Sequence, residues 1–142
     1  MRLIVLAFVL ALGGCDAPAP RIEISDAWTR ATSATASSAA VYMTIANEGG
    51  EDRLASVTTT AARDATLHTM SMDGGVMRMR PITDGAPVPA KGSLTLAPSG
   101  THLMLTSLQR PLVPGERIAA RLRFARSGER EVAIAVVAAG ER

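Results

Sequence analysis

From residue 22 onward, turn signals containing glycine or proline divide this chain into short apolar segments about ten residues apart. Most segments alternate apolar and polar residues or are rich in β-branched residues, and none carries a helical pattern of useful length. This spacing is typical of an antiparallel sandwich or barrel of about eight or nine strands. The predicted strands are residues 22–28, 41–45, 54–60, 65–72, 76–82, 93–96, 102–108, 117–124 and 131–137.

Length and charge narrow the class of protein further. A chain of 142 residues is enough for one domain, and its scarce aromatic residues (3%) mean that aliphatic side chains and methionine must form the core. The formal net charge is only +2, and the arginines that dominate the basic residues are scattered along the chain. Without a basic run or an aromatic platform, nucleic-acid binding has little support.

The N-terminus, MRLIVLAFVLALGGC, has the pattern of a signal peptide. Arg2 precedes ten apolar residues, which are too few to span a bilayer as a mature helix. The ending Leu12-Gly13-Gly14-Cys15 resembles a bacterial lipoprotein signal, in which the cysteine is lipidated and becomes the first mature residue. The alternative is an ordinary secretory signal cut at a small residue. Either interpretation places the protein in the periplasm or cell envelope.

These boundaries divide the chain into four parts. Residues 1–14 are the predicted signal peptide, 15–21 the lipidated cysteine and a proline-containing tether, 22–138 the folded domain and 139–142 a short tail. Cys15 is the only cysteine. If it is lipidated, the domain has no thiol, which excludes a disulfide, a CxxC redox site and a cysteine nucleophile and disfavours a blue-copper centre.

The stretch HTMSMDGGVMRM, residues 68–79, contains four of the seven methionines and one of the two histidines. Asp-Gly between two strands is a strong signal for a two-residue turn, because glycine tolerates a positive φ. If Asp73 and Gly74 form the loop, His68 lies directly opposite Met79, near enough for both side chains to bind one metal ion.

Strand alternation then places four side chains on one face of this hairpin: His68, Met70, Met77 and Met79. A three-residue loop, Asp73-Gly74-Gly75, is the alternative. It would place His68 opposite Arg80 and make Met79 only a diagonal neighbour. The two-residue loop is the register we predict.

The other histidine also lies beside a methionine. In His102-Leu103-Met104 the His and Met share one side of a predicted strand, and Leu103 points to the opposite side. Imidazole with thioether sulfur is a soft ligand set that favours Cu(I), whereas zinc sites normally use Cys, His or carboxylate. Methionine is also a common core residue. We interpret Met43 as core, and Met70, Met72 and Met77 as packing residues or a soft rim.

At these positions the chain resembles the PCuAC family of periplasmic copper chaperones. The family motif is a His, a Met eleven residues later and a His-x-Met some twenty-odd residues beyond. Here His68 and Met79 are eleven residues apart, and His102 and Met104 follow after a further twenty-three. Flanking sequence is also similar, as in VMRMRP after the hairpin turn and LAPSG before His102. The resemblance covers about residues 22–138.

The resemblance implies a cupredoxin-like, Greek-key β-sandwich that binds one Cu(I) per domain through His68, Met79, His102 and Met104, with Met70 and Met77 as possible auxiliary ligands. It implies a copper chaperone, and we expect the protein to be a monomer and not an enzyme. Its partners would be the CuA domain of cytochrome c oxidase subunit II or Sco-like chaperones. Some family members carry a His/Met-rich C-terminal tail for Cu(II), which residues 138–142 do not resemble.

Two other functions remain open from the residues. One is a metal-free, envelope-anchored β-sandwich in which the methionines form a soft contact surface. The other is a copper enzyme, but the sequence offers no general base or catalytic triad to support it.

Overall fold

The computed structural model describes residues 17–142, so the predicted signal peptide and Cys15 lie outside it. Within this range the chain forms ten strands. They are β1 (Ile22–Arg30), β2 (Ser38–Asn47), β3 (Asp52–Thr59), β4 (Ala62–Asp73), β5 (Val76–Pro81), β6 (Ala86–Val88), β7 (Gly92–Leu96), β8 (His102–Leu108), β9 (Arg117–Phe124) and β10 (Gly128–Val137). None of the described residues forms a helix long and apolar enough to cross a membrane.

The all-β prediction is confirmed, with two corrections. The strands follow the order β5-β4-β8-β2-β1-β10-β9-β3-β6, and β7 pairs with β2 off this path. Because β1 pairs with β10 in parallel, the sheet is mixed rather than purely antiparallel. The tenth strand, β6, was not predicted. It has only three residues and contains Pro87, which suits an edge strand because proline cannot donate a ladder hydrogen bond.

The core is formed by the inward-facing side chains and follows the alternation of the strands. In β9 every second residue is buried, ending with Phe124. Leu103 and Leu105 of β8 are fully buried and Leu67 of β4 nearly so, which directs the intervening residues of both strands to the outer face. Met43 is also buried, as predicted for a core residue. These three leucines therefore pack β4 and β8 against the core.

The register of the β4–β5 hairpin differs from both predicted registers. The loop is Gly74-Gly75, and Asp73 pairs with Val76. Both glycines have positive φ, 58° and 82°, as a tight hairpin turn of the primed type requires. The loop predicted from Asp73-Gly74 is therefore wrong by one residue. Gly74-Gly75 meets the same requirement for positive φ without placing an aspartate there. As a result His68 lies opposite Pro81, and Met79 lies opposite Met70.

At another edge of the molecule, residues of the predicted tether lie against the β2–β3 turn. The N–H of Gly50 donates to the carbonyl of Ala19, and the Arg126 guanidinium donates to the carbonyls of Ala17 and Pro18. A Cβ on Gly50 would come within 2.0 Å of the Pro18 carbonyl oxygen. Glycine is therefore required where the tether crosses this turn.

Candidate metal centre

Three adjacent strands, β5, β4 and β8, bring both histidines and most methionines to one outer face. His68 pairs directly with His102 across β4 and β8, so their side chains project to the same side. Met70 pairs with Met79 across β4 and β5, which extends this face onto the hairpin. The actual register differs from the predicted one by two residues. Because side chains alternate with a period of two, this shift leaves the same residues on one face, as predicted.

His102 and Met79 form the closest pair of candidate ligands. Nε2 of His102 lies 3.3 Å from the sulfur of Met79. Nδ1 of the same ring lies 3.1 Å from the carbonyl oxygen of Gly100. A carbonyl can only accept, so Nδ1 carries the hydrogen, and in a neutral imidazole Nε2 then has a free lone pair. Two electron-pair donors, a ring nitrogen and a thioether sulfur, therefore converge on one point.

The backbone contact also orients the ring. A metal-binding histidine usually donates its other N–H to a carbonyl or carboxylate, which fixes the tautomer and the ring plane. Gly100 supplies that acceptor from the loop that precedes β8, and His102 is itself only 5% exposed. The imidazole of His102 is thus held before any ligand arrives.

His68 and Met104 complete the candidate set around this pair. The His68 ring stacks on that of His102, with centroids 6.1 Å apart and planes inclined by 21°. Nδ1 of His68 lies 3.5 Å from the Thr66 hydroxyl. Met104 is two residues beyond His102 on the same face of β8, opposite Thr66. The four predicted ligands therefore occupy neighbouring positions, and the 3.3 Å contact between His102 and Met79 already brings a nitrogen and a sulfur donor together.

The centre is open on the hairpin side. Met79 is 48% exposed, and all six residues of β5 are exposed to solvent. Arg78 and Arg80 lie on the reverse face of the hairpin, where both pair with Asp73. Their charges therefore do not point into the site. Among the described residues, no three His, Cys, Asp or Glu side chains are grouped as metal ligands, so the candidate centre depends on methionine sulfur.

Two residues that contact the candidate ligands were missed from the sequence, Gly100 and Thr66. The role of Gly100 depends on the path of the main chain and has no sequence signal. Thr66 could have been found, because it lies two residues before His68 and shares its face. Met72 was interpreted as a packing or rim residue, and its 67% exposure agrees with a position on the rim rather than in the core.

Comparisons with known proteins assign the family. The family described as "Putative lipoprotein LpqE-like" matches residues 22–136. The chain belongs to the LpqE-like family. A curated relative, "Putative lipoprotein Lxx21020" of Leifsonia xyli subsp. xyli (strain CTCB07), is 31% identical over 144 residues, which cover 93% of this chain and 86% of the relative.

Solved structures of PCuAC domains have the same fold as this LpqE-like protein. A copper-bound PCuAC domain from PmoF2 is 26% identical with a TM-score of 0.68, over 82% of this chain and 92% of that domain. The Cu(I) form of DR1885 from Deinococcus radiodurans is 27% identical with a TM-score of 0.64, over 88% of this chain and 83% of that protein. The resemblance to the PCuAC family and the cupredoxin-like β-sandwich are both confirmed.

Proposed function

We propose that this LpqE-like protein is a copper chaperone of the cell envelope that binds one Cu(I) through His68, Met79, His102 and Met104. The observation that carries the proposal is the convergence of the His102 Nε2 lone pair and the Met79 sulfur, 3.3 Å apart, with the ring held by Gly100. Similarity to PCuAC domains described as copper-bound and Cu(I)-bound supports the choice of metal.

The ligand chemistry favours Cu(I) over other biological cations. Thioether sulfur is soft and suits Cu(I), whereas Mg²⁺ and Ca²⁺ prefer oxygen and zinc prefers thiolate, imidazole or carboxylate. All four side chains are neutral when they bind, so the positive charge of the ion stays uncompensated within the set. Methionine also cannot form a disulfide, which is an advantage in an oxidising compartment.

A site of this kind suits transfer rather than storage. His102 is buried and oriented, whereas Met79 lies on a projecting hairpin and is half exposed. An acceptor can therefore replace the exposed thioether first while the buried imidazole still holds the ion. Exchange of one ligand at a time avoids the free ion as an intermediate.

The proposed destination and location follow from the family resemblance. The copper would pass to the CuA domain of cytochrome c oxidase subunit II, directly or through a Sco-like chaperone. Lipidation at Cys15 would anchor the protein in the envelope, in agreement with its membership of a family described as lipoproteins. Residues 15–21 would then link the anchor to the domain.

Transfer can be tested by mixing the full-length protein, loaded with one equivalent of Cu(I), with an apo CuA domain or an apo Sco-like protein under anaerobic conditions. After chromatographic separation, we expect most of the copper on the acceptor. An acceptor whose copper ligands have been replaced is the matched control and should remain empty. Copper that stays on the donor with both intact acceptors would contradict the proposed destination.

A further inference from the structure

The outer end of the β4–β5 hairpin carries more exposed methionine than core packing explains. Met72 is 67% exposed and Met77 49% exposed, although thioether side chains usually fill cores. Both lie beyond the His102–Met79 pair, towards the Gly74-Gly75 turn. Neither residue belongs to the four-ligand set proposed above.

The register brings three of these side chains together. Met72 pairs directly with Met77, and Met70 precedes Met72 by two residues on the same face of β4. Directly opposed residues have Cβ atoms about 4.5–5.5 Å apart, and a methionine side chain has three rotatable bonds beyond its Cα. The sulfurs of Met70, Met72 and Met77 can therefore meet at one point above the hairpin without any movement of the backbone.

We propose that Met70, Met72 and Met77 form a second, weaker Cu(I) site at the tip of the hairpin. This inference rests on the proposed Cu(I) function of the first centre. Three thioethers without a histidine are a soft, neutral ligand set that again selects Cu(I). The second site is more exposed than the first and has no buried, preoriented ligand comparable with His102, so it binds copper less tightly.

The two sites are adjacent, which suggests how they work together. Met70 pairs directly with Met79, a ligand of the first site, so the two sets of sulfur atoms form a continuous row along the hairpin. A Cu(I) ion that arrives at or leaves the exposed tip can move between thioethers without entering water. The tip would therefore be the point at which copper is exchanged with a partner.

The test follows each methionine methyl group separately by NMR as Cu(I) is added to the full-length protein in mild detergent, without oxygen. The first equivalent should shift the methyl signals of Met79 and Met104. The second equivalent should shift those of Met70, Met72 and Met77. The methyl group of Met43 is buried in the core and should not move with either, so it is an internal control.

A variant makes the result quantitative. Leucine has nearly the volume of methionine, so the triple variant Met70→Leu, Met72→Leu, Met77→Leu should fold and bind one Cu(I) instead of two. The single variant Met72→Leu changes no ligand or possible auxiliary ligand of the first site, so it should weaken the second site and keep the first-site affinity within about threefold of the original. Conversely, His102→Ala should weaken the first site and leave the signals of the three tip methionines responsive to Cu(I).

The possible failures are distinguishable. If Met72 and Met77 stay unshifted beyond the first equivalent, or shift together with Met79 during it, the second site is refuted while the first stands. A triple leucine variant with undiminished stoichiometry would refute it as well. If Met79 and Met104 never shift, the proposed function of the first centre fails instead.

Discussion

Replacing His102 with alanine is expected to lower the affinity for Cu(I) by more than about a hundredfold. Loss of a group that merely orients a metal ligand costs about 10–100-fold, and His102 is both a proposed ligand and the buried, oriented member of the set. Removal of its imidazole leaves Met79 without its nearest partner. Affinity is best measured by competition with a coloured Cu(I) chelator.

Matched variants separate loss of a ligand from loss of the fold. Met104→Leu removes one sulfur at nearly constant volume, so it should weaken Cu(I) binding with little effect on stability. Met43→Leu makes the same chemical change in the core and should leave Cu(I) affinity unchanged. Thermal unfolding of each apo variant identifies any that is not folded. An affinity of folded His102→Ala equal to that of the original protein would exclude His102 as a ligand.

Replacing Asp52 with alanine is expected to destabilise the protein by about 2–4 kcal/mol, because it removes buried hydrogen bonds to a charged group. Asp52 is a buried residue, with 6% of its surface exposed. It accepts hydrogen bonds from the hydroxyl of Ser127 and from the backbone N–H groups of Arg53, Arg126 and Ser127. Through these bonds Asp52 joins the start of β3 to the β9–β10 turn. Urea unfolding monitored by the Trp28 fluorescence measures the loss.

The same carboxylate makes stability depend on pH. Burial raises the pKa of Asp52. The hydrogen bonds from Ser127 and from the backbone N–H groups of Arg53 and Arg126 lower it by more than burial raises it, so its pKa lies below the ordinary value. The stabilisation is therefore present above the pKa of the unfolded chain, about 3.9, and is lost as pH falls through the lower pKa of the folded state.

The effect of the Asp52→Ala substitution should follow this dependence. The difference in stability between the original protein and the variant should be constant near neutral pH and shrink below about pH 4. Asp64→Ala removes an exposed carboxylate on β4 and should change stability by less than about 0.5 kcal/mol. Equal effects of the two substitutions would contradict the structural role of Asp52.

The sequence was sufficient to predict the strands but not how each hairpin closes. Alternating burial, as in β9, follows directly from the alternation of apolar and polar residues. Nine of the ten strands were predicted from the residue pattern. The loop of the β4–β5 hairpin was placed one residue too early, because Asp73-Gly74 and Gly74-Gly75 are both acceptable turns. The structure uses Gly74-Gly75, which places no aspartate at positive φ.

The residues of the candidate site could be predicted from the sequence, but the contacts between them could not. His68, Met79, His102 and Met104 were predicted together, and the structure places them on one face. The predicted pair, His68 with Met79, is not the one in contact; Met79 approaches His102 instead. That contact joins residues from two strands that are not neighbours along the chain, and local spacing carries no information about it.

The most direct test of the central claim is X-ray absorption spectroscopy of the full-length protein loaded with one equivalent of Cu(I). The account predicts a Cu(I) edge and a first shell with both nitrogen from imidazole and sulfur from thioether, two of each for the complete set. Loss of one of the two imidazole contributions in His102→Ala would assign that nitrogen to His102. A first shell composed only of oxygen and nitrogen, without sulfur, would contradict the account.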